Sequence, residues 1–184
     1  VQDMSHMFQD CTSLTSLDVS KFDTSNVLDT SSMFAGLSKV WLLDVSNFKT
    51  GKVTNSSKMF QCMSTVRSLS VGEFDTNNIV DMSGMFQNCG SVSGLDISKF
   101  DTSNVVDMTS LFEGCSSVSN LDLSNFDTSK VTKFTNMFSG VTNIKSLDLS
   151  KFKTSNVNDM SFLFDKCSSL SSVDLSGFDT AKEI

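Results

Sequence analysis

Hydrophobic and polar residues recur along this chain with a period of 26 positions. Aligning the sequence with itself at that spacing needs no gaps and leaves two columns that are Phe in all seven copies. The first Phe column is Phe8, Phe34, Phe60, Phe86, Phe112, Phe138 and Phe164, and the second is Phe22, Phe48, Phe74, Phe100, Phe126, Phe152 and Phe178. Two more columns, which begin at Leu17 and Val19, are apolar throughout. The sequence therefore predicts seven coils, beginning near residues 17, 43, 69, 95, 121, 147 and 173.

Within one unit the spacing of the apolar residues changes. In residues 95–100, Leu95 and Ile97 alternate with polar residues, which is typical of a short half-buried strand. In residues 103–118 the apolar residues follow at spacings of three and four, which predicts a helix with Asn104 as its N-cap. Glycine recurs near the predicted helix end, where a left-handed residue often closes a helix. Each unit is thus predicted to be strand, turn, helix, turn.

These units predict an α/β solenoid that forms a single repeat domain over residues 1–184. Strands joined by such a crossover pair in parallel with right-handed connections, which gives one parallel sheet of seven strands backed by helices. One unit cannot bury its apolar side chains alone, so the coils must stack. Because the chain starts inside a repeat, we read it as part of a longer protein. Its ends lack polar caps, and they could support end-to-end self-association.

Composition and charge narrow the range of partners. The 184 residues include 16 Phe and 10 Met but no Pro or Tyr, and their net charge is −7. An acidic chain is a poor partner for nucleic acid or for an anionic membrane surface. No apolar run approaches the roughly 20 residues that a membrane span requires, so we expect no membrane insertion by this segment. The first residues also lack the pattern of a signal peptide.

The string CSSVSNLDLSNFDTSKV at 115–131 carries the LxxLxL skeleton of leucine-rich repeats in Val118, Leu121 and Leu123. Together with the following FDTSNVxDMxxMFxxC pattern, it closely resembles a bacterial surface-protein repeat family related to BspA-like leucine-rich repeats. The resemblance covers the whole chain. It implies a leucine-rich-repeat solenoid, extracellular placement and a role in adhesion or host interaction, and it carries no catalytic residues. The second and third copies depart from the pattern, around Trp41 and Leu42 and at residues 70–73.

An acidic column lies on the predicted strand face. Its members are Asp18, Asp44, Asp96, Asp122, Asp148 and Asp174, and Ser70 interrupts it. Neighbouring carboxylates would stand about 5 Å apart, where like charges repel. Three interpretations are open: the carboxylates bond to Ser, Thr or backbone groups on neighbouring strands, they form a face for cationic or polyhydroxylated ligands, or they bind Ca²⁺.

Two other columns have a structural and a chemical interpretation. Thr is invariant in its column from Thr24 to Thr180. Each Thr either caps the turn after the strand or contributes to an ice-binding ladder, and a single Thr per coil favours the cap.

Four cysteines share a column with apolar residues and are expected to be buried small hydrophobes. We expect free thiols, with a disulfide between Cys89 and Cys115 as the alternative. The cysteine spacings match no zinc pattern.

The candidate binding residues are exceptions to the repeat. Trp41 occupies a column otherwise filled by Thr, Arg, Ser and Lys, and Leu42 and Arg67 lie beside it. Trp and Arg are favoured binding anchors, so Trp41, Leu42 and Arg67 form the sharpest site hypothesis, although Trp41 could instead fold onto the next coil. No catalytic motif or phosphate-binding loop is present, and we expect no enzyme activity, no cofactor and no metal.

The sequence therefore favours an extracellular or cell-surface module that binds a protein or glycan through its strand face. The alternative is a structural spacer that projects another domain from the cell surface, a role that uniform coils with small polar faces would suit.

Overall fold

The structure, a computed structural model, describes residues 1–181. The chain folds as a solenoid whose coils are stacked one on the next. Each parallel pairing in it joins residues 26 positions apart, as with Leu42 and Ser68 or Ser146 and Ser172. A column of isolated parallel bridges has the same offset and runs without a break through seven coils: Asp3, Asp29, Asn55, Asp81, Asp107, Lys133 and Asp159. The predicted period of the repeat is confirmed.

The strands are shorter than predicted and do not form one continuous sheet. Strand β1 (Leu42–Leu43) pairs with β2 (Ser68–Leu69), and β3 (Ser146–Asp148) pairs with β4 (Ser172–Asp174), so residues 1–181 contain two parallel sheets of two strands each. The single sheet of seven strands is corrected accordingly. The intervening coils carry Gly94 and Asn120 at the position of Leu42, and these two residue types are disfavoured in strands.

The predicted row of helices is not confirmed, because residues 1–181 contain no α-helix. Residues 103–118 form consecutive turns instead. Ser110 and Gly114 have φ angles of 56° and 69°, and a left-handed residue every four positions interrupts a right-handed helix. The N–H groups of Ser110, Phe112 and Gly114 therefore leave their own coil and donate to carbonyl groups of the next coil at 2.8–3.0 Å.

The spacing between coils explains why helices are excluded. Rings of the first Phe column stack with centroid distances of 5.8–6.0 Å from Phe8 to Phe164. Helices packed side by side need about 8–10 Å between their axes, so a row of them would not fit this rise. Flat turns satisfy the short rise, and their N–H groups extend the hydrogen-bonded ladder from coil to coil.

The core lies between the two Phe columns and the inner residues of the strand segments. Phe34, Phe60, Phe86, Phe112 and Phe138 are fully buried, and the second column from Phe48 to Phe152 is nearly so. Val118, Leu121 and Leu123, which form the LxxLxL skeleton, also face this core. The coils are leucine-rich-repeat-like in this respect.

The first and last coils are covered on one side only. Phe8 and Phe22 at one end, and Phe164 and Phe178 at the other, are half-buried where their counterparts in inner coils are buried. No helix that could cross a membrane occurs in the part of the chain that the structure describes.

Candidate binding surface

The acidic column consists of exposed carboxylates that bond within their own coil. Each accepts a hydrogen bond from the backbone N–H two residues later, as Asp44 does from Ser46 at 3.0 Å. The acceptors are Asp18, Asp44, Asp96, Asp122, Asp148 and Asp174. The interpretation that placed these bonds between neighbouring strands is corrected to bonds within each coil, with one addition between coils: the hydroxyl of Ser70 also lowers the pKa of Asp44. Asp148 and Asp174 end β3 and β4, and Asp44 follows β1. A turn-forming Asp at such a place is well placed to satisfy the next free N–H of its own backbone.

The same bonds lower the pKa values of five carboxylates in this column. The backbone N–H and the hydroxyl of Ser46 lower the pKa of Asp44, and the hydroxyl and backbone N–H of Ser98 lower the pKa of Asp96. Serine lowers the pKa values of three other members in the same way: Asp18, Asp122 and Asp148. The strand face therefore carries a negative stripe at neutral pH. Within residues 1–181, no three His, Cys, Asp or Glu side chains are grouped as a metal site would require.

The invariant Thr column is buried from Thr24 to Thr154, where it joins one coil to the next. The hydroxyl of Thr76 donates to the carbonyl oxygen of Asp101 at 2.9 Å and accepts from the N–H of Asp101 at 2.8 Å. Thr154 makes the same pair of bonds with Asp179. Both threonines are almost completely buried, so the column offers no flat Thr surface for ice. The predicted capping of its own turn is corrected to a bond between coils.

The cysteines are free thiols in the structure, as expected. Cys89 and Cys115 are buried and donate from Sγ to the carbonyl oxygens of Phe60 and Phe86, at 3.0 and 3.1 Å. Cys11, in the first coil, and Cys62, outside the column, are exposed. Burial raises the pKa of the Cys115 thiol to about 12 and raises that of Cys89 well above its ordinary value.

Native thiol labelling is expected to separate these cysteines into two groups, because the thiolate is the reactive form. Maleimide added to the folded protein should modify Cys11 and Cys62 first, and Cys89 and Cys115 only after denaturation. Peptide mass spectrometry after timed quenching measures the modified fraction at each position. Labelling in urea, where all five thiols should react, is the control. Equal native rates at Cys62 and Cys115 would contradict the burial described here.

Trp41, immediately before β1, and the adjacent Leu42, in β1, form an exposed apolar patch. Trp41 is 61% exposed and Leu42 is 49% exposed, while the next residue, Leu43, is buried in the core. Trp41 therefore does not fold onto the neighbouring coil. Trp41 is the single Trp of the chain, and its counterparts in the other coils are Thr, Arg, Ser and Lys.

Arg67 stands beside Trp41 on the next coil. The backbone N–H of Arg67 donates to the carbonyl oxygen of Trp41 at 3.0 Å, and the pairing of Leu42 with Ser68 keeps the two chains in register. Parallel strands in register direct their side chains to the same side, about 4.8 Å apart along the hydrogen-bonding direction. The structure thus brings Trp41, Leu42 and Arg67 together. The six carboxylates of the acidic column follow the same face, with Asp44 two residues beyond Leu42.

Two residues of this surface were not predicted from the sequence. Lys39 is exposed two positions before Trp41, with buried Val40 between them. Thr65, on the next coil, donates its hydroxyl to the carbonyl oxygens of Ser38 and Val40 at 2.9 and 3.1 Å, and so holds the backbone that carries Trp41. The alternation of exposed and buried residues through Val40 is the signal that could have added Lys39 to the candidate residues.

An exposed apolar column on another face was also not predicted. Leu28, Val80 and Val106 are exposed there, one residue before the continuous column of parallel bridges. The other coils carry Gln, Thr or Asn at this position, and such a mixture of polar and apolar residues is a weak signal of exposure.

Comparison with known proteins gives a family and a similarity to one solved protein. The family model described as "Mycoplasma protein of unknown function, DUF285" matches residues 1–95 and 82–183. A leucine-rich repeat protein from Bacteroides ovatus ATCC 8483, solved by crystallography, is similar to this chain at 18% identity with a TM-score of 0.44. That match covers 82% of this chain but 41% of the solved chain. No curated protein matches, and neither match is to an enzyme family.

Proposed function

We propose that this chain, which belongs to the DUF285 family of mycoplasma proteins, is a cell-surface binding module that recognises a protein or glycan through its strand face. The observation that carries the proposal is the exposure of Trp41, at 61%, in a column of otherwise small or charged residues. Exposed Trp and Arg side chains that lie together are the residue types that dominate binding energy at interfaces.

The energetic cost of exposing this patch supports a binding role. Burying a large apolar side chain is worth about 1.5–3 kcal/mol, a free energy that Trp41 and Leu42 largely forgo in the free protein. The first Phe column is buried efficiently, with Phe34, Phe60 and Phe86 fully inside, whereas Phe162, outside both Phe columns, is 65% exposed. A ligand that covers Trp41 would recover the missing burial.

The scaffold under the patch is rigid, which lowers the entropic cost of binding. Strands β1 and β2 are paired in register beneath it, and the hydroxyl of Thr65 fixes the segment that leads to Trp41. Because the backbone is already ordered, binding has to immobilise only a few side chains. Placement at the cell surface is part of the proposal, and its support is the resemblance to bacterial surface-protein repeats.

A structural spacer is the second candidate. It is favoured by the uniformity of the coils, whose strand faces outside β1 and β2 carry mainly small polar residues and Asp. In a spacer, ligand binding would belong to another domain, and the Trp41 patch would have no partner.

A binding screen with matched variants tests the proposal. The protein is applied to immobilised glycans and extracellular-matrix proteins, with and without Ca²⁺, and compared with Trp41→Ala and Arg67→Ala. Lys145→Ala is the control, because Lys145 is exposed at the same repeat position four coils from Trp41. We expect Trp41→Ala to weaken a captured ligand by about thirtyfold, the size of a binding hot spot of ~2 kcal/mol.

Two results of this screen would count against a Trp41 site. Binding that all three variants retain but that is lost without Ca²⁺ would move the site to the acidic column. Binding of no ligand at all would favour the spacer. Because Trp41, Arg67 and Lys145 are exposed, all three variants should keep the thermal stability of the parent protein, which circular dichroism checks.

A further inference from the structure

The only Arg and the only Trp of the chain occupy the same repeat position in adjacent coils. The backbone hydrogen bond from Arg67 to Trp41 and the register of β1 with β2 place the two side chains next to each other. Among residues 1–181, neither Arg67 nor Lys39 lies within ion-pair distance of a carboxylate. Two unpaired cations thus flank the exposed indole.

The negative stripe is interrupted at this same place. Ser70 stands on the coil of Arg67 where six other coils carry Asp, so the acidic column has a gap on the coil that carries the guanidinium. The carboxylate that this coil does add, Glu73, is paired with Lys99 at 2.6 Å. Charges separated by more than about 8–10 Å are largely screened at physiological salt, so a ligand at Trp41 responds to these neighbours and not to the net charge of the whole chain. The nearest carboxylate on the same strand, Asp44, lies three residues from Trp41, or roughly 10 Å along an extended strand.

From this arrangement we infer that the Trp41 surface binds an acidic glycan, a saccharide chain whose rings carry carboxylates. The inference rests on the proposed function and names its ligand class. One apolar face of a sugar ring stacks on the indole of Trp41, while the ring carboxylate accepts hydrogen bonds from the guanidinium of Arg67, a donor suited to bidentate carboxylate binding. Lys39 adds a second cation, two residues before Trp41.

The shape of the surface favours a sugar over an acidic peptide. A peptide that adds to a sheet needs a free strand edge, but the backbone here is already bonded from coil to coil, as between Arg67 and Trp41. Beside the patch, Ser68 and Ser93 offer hydroxyl groups to a polyhydroxylated ligand. At Gly94 the space above the backbone is open, with no heavy atom within 4 Å of where a Cβ would stand. A flat ring has room to lie across the surface at Gly94.

Intrinsic fluorescence gives a site-specific test, since Trp41 is the single Trp and there is no Tyr. Oligogalacturonate is titrated as the acidic probe, its methyl ester as the uncharged counterpart and polyglutamate as the acidic peptide, with calorimetry for variants that lack Trp41. Oligogalacturonate should shift the Trp41 emission to shorter wavelength and bind at least about tenfold more tightly than the ester, a difference of about 1.4 kcal/mol.

The variants decide which groups are responsible. Arg67→Ala should weaken oligogalacturonate by about tenfold, Arg67→Lys by less, and Lys145→Ala by little, while Trp41→Ala should remove most of the binding. Equal binding of the ester, an equal loss in Lys145→Ala, or tighter binding of polyglutamate would each overturn the acidic glycan. If the wider screen finds another ligand that depends on Trp41, only this inference fails; if it finds none, the proposed function fails as well.

Discussion

Replacing Phe86 by alanine is expected to lower the free energy of unfolding by about 3–5 kcal/mol. Phe86 is fully buried in the middle of the first Phe column. Its ring stacks on Phe60 at 5.8 Å and on Phe112 at 5.9 Å, and it contacts Phe100 at 6.5 Å. The alanine variant would leave a cavity that its neighbours cannot fill, since the hydrogen-bonded ladder fixes the coil spacing. Urea denaturation followed by circular dichroism measures the change.

The matched control is Phe162→Ala, because Phe162 has the same side chain in an exposed place. It is 65% exposed and has a φ angle of 57°, so its removal should change the stability by no more than about 0.5 kcal/mol. Phe8→Ala should fall between the two, since Phe8 stacks on one neighbour and is half-buried. A loss at Phe86 no larger than that at Phe162 would show that the column is not the source of stability.

Replacing Thr76 by valine is expected to cost about 1–3 kcal/mol although the two side chains have nearly the same shape. The Thr76 hydroxyl serves both the N–H and the carbonyl of Asp101, at 2.8 and 2.9 Å. Valine would leave both part-buried backbone groups of Asp101 without this partner. The loss should appear in the same urea experiment as a lower denaturation midpoint.

Two control variants separate the hydroxyl from the packing. Thr76→Ser keeps the hydroxyl and should retain most of the stability. Thr132→Val removes an exposed hydroxyl that makes one longer bond, to the carbonyl of Val106 at 3.3 Å, and it should have little effect. A neutral Thr76→Val variant would mean that the two bonds to Asp101 contribute nothing net.

The repeat and the inward-facing positions could be predicted from the sequence. Seven copies in phase identify each buried column, and residues such as Phe60, Leu95 and Val118 lie in the core as their columns require. This part of the prediction depends only on which side chains avoid water, and the apolar columns that recur every 26 residues identify those side chains.

The helices could not be excluded from the apolar pattern. Met108, Leu111, Phe112 and Cys115 are all buried, at the spacings of three and four that a helix would give. Consecutive four-residue turns, such as the one closed by the N–H of Cys115 and the carbonyl of Phe112, place side chains inward at the same spacing. The distance between adjacent coils decides between a helix and consecutive turns. It is about one strand spacing, and packed helices need about twice that distance.

The site could be predicted in part. The exceptional Trp41 and Arg67 stand out in their column, and the structure places them side by side and exposed. The partners of the Asp and Thr columns were predicted incorrectly. Sequence spacing shows that a polar residue recurs in each coil, but it does not show whether its oxygen reaches its own turn, as Asp44 does, or the next coil, as Thr76 does.

The ladder of bonds between adjacent coils has a mechanical consequence. Each coil is held by its immediate neighbours alone, so tension applied to the two ends would release an end coil, which has one neighbour, before any inner one. A released coil of 26 residues would extend to about 90 Å of chain, whereas it occupied only one coil rise in the stack. Under force the protein would therefore lengthen in equal steps, and each step would limit the rise in tension along the chain.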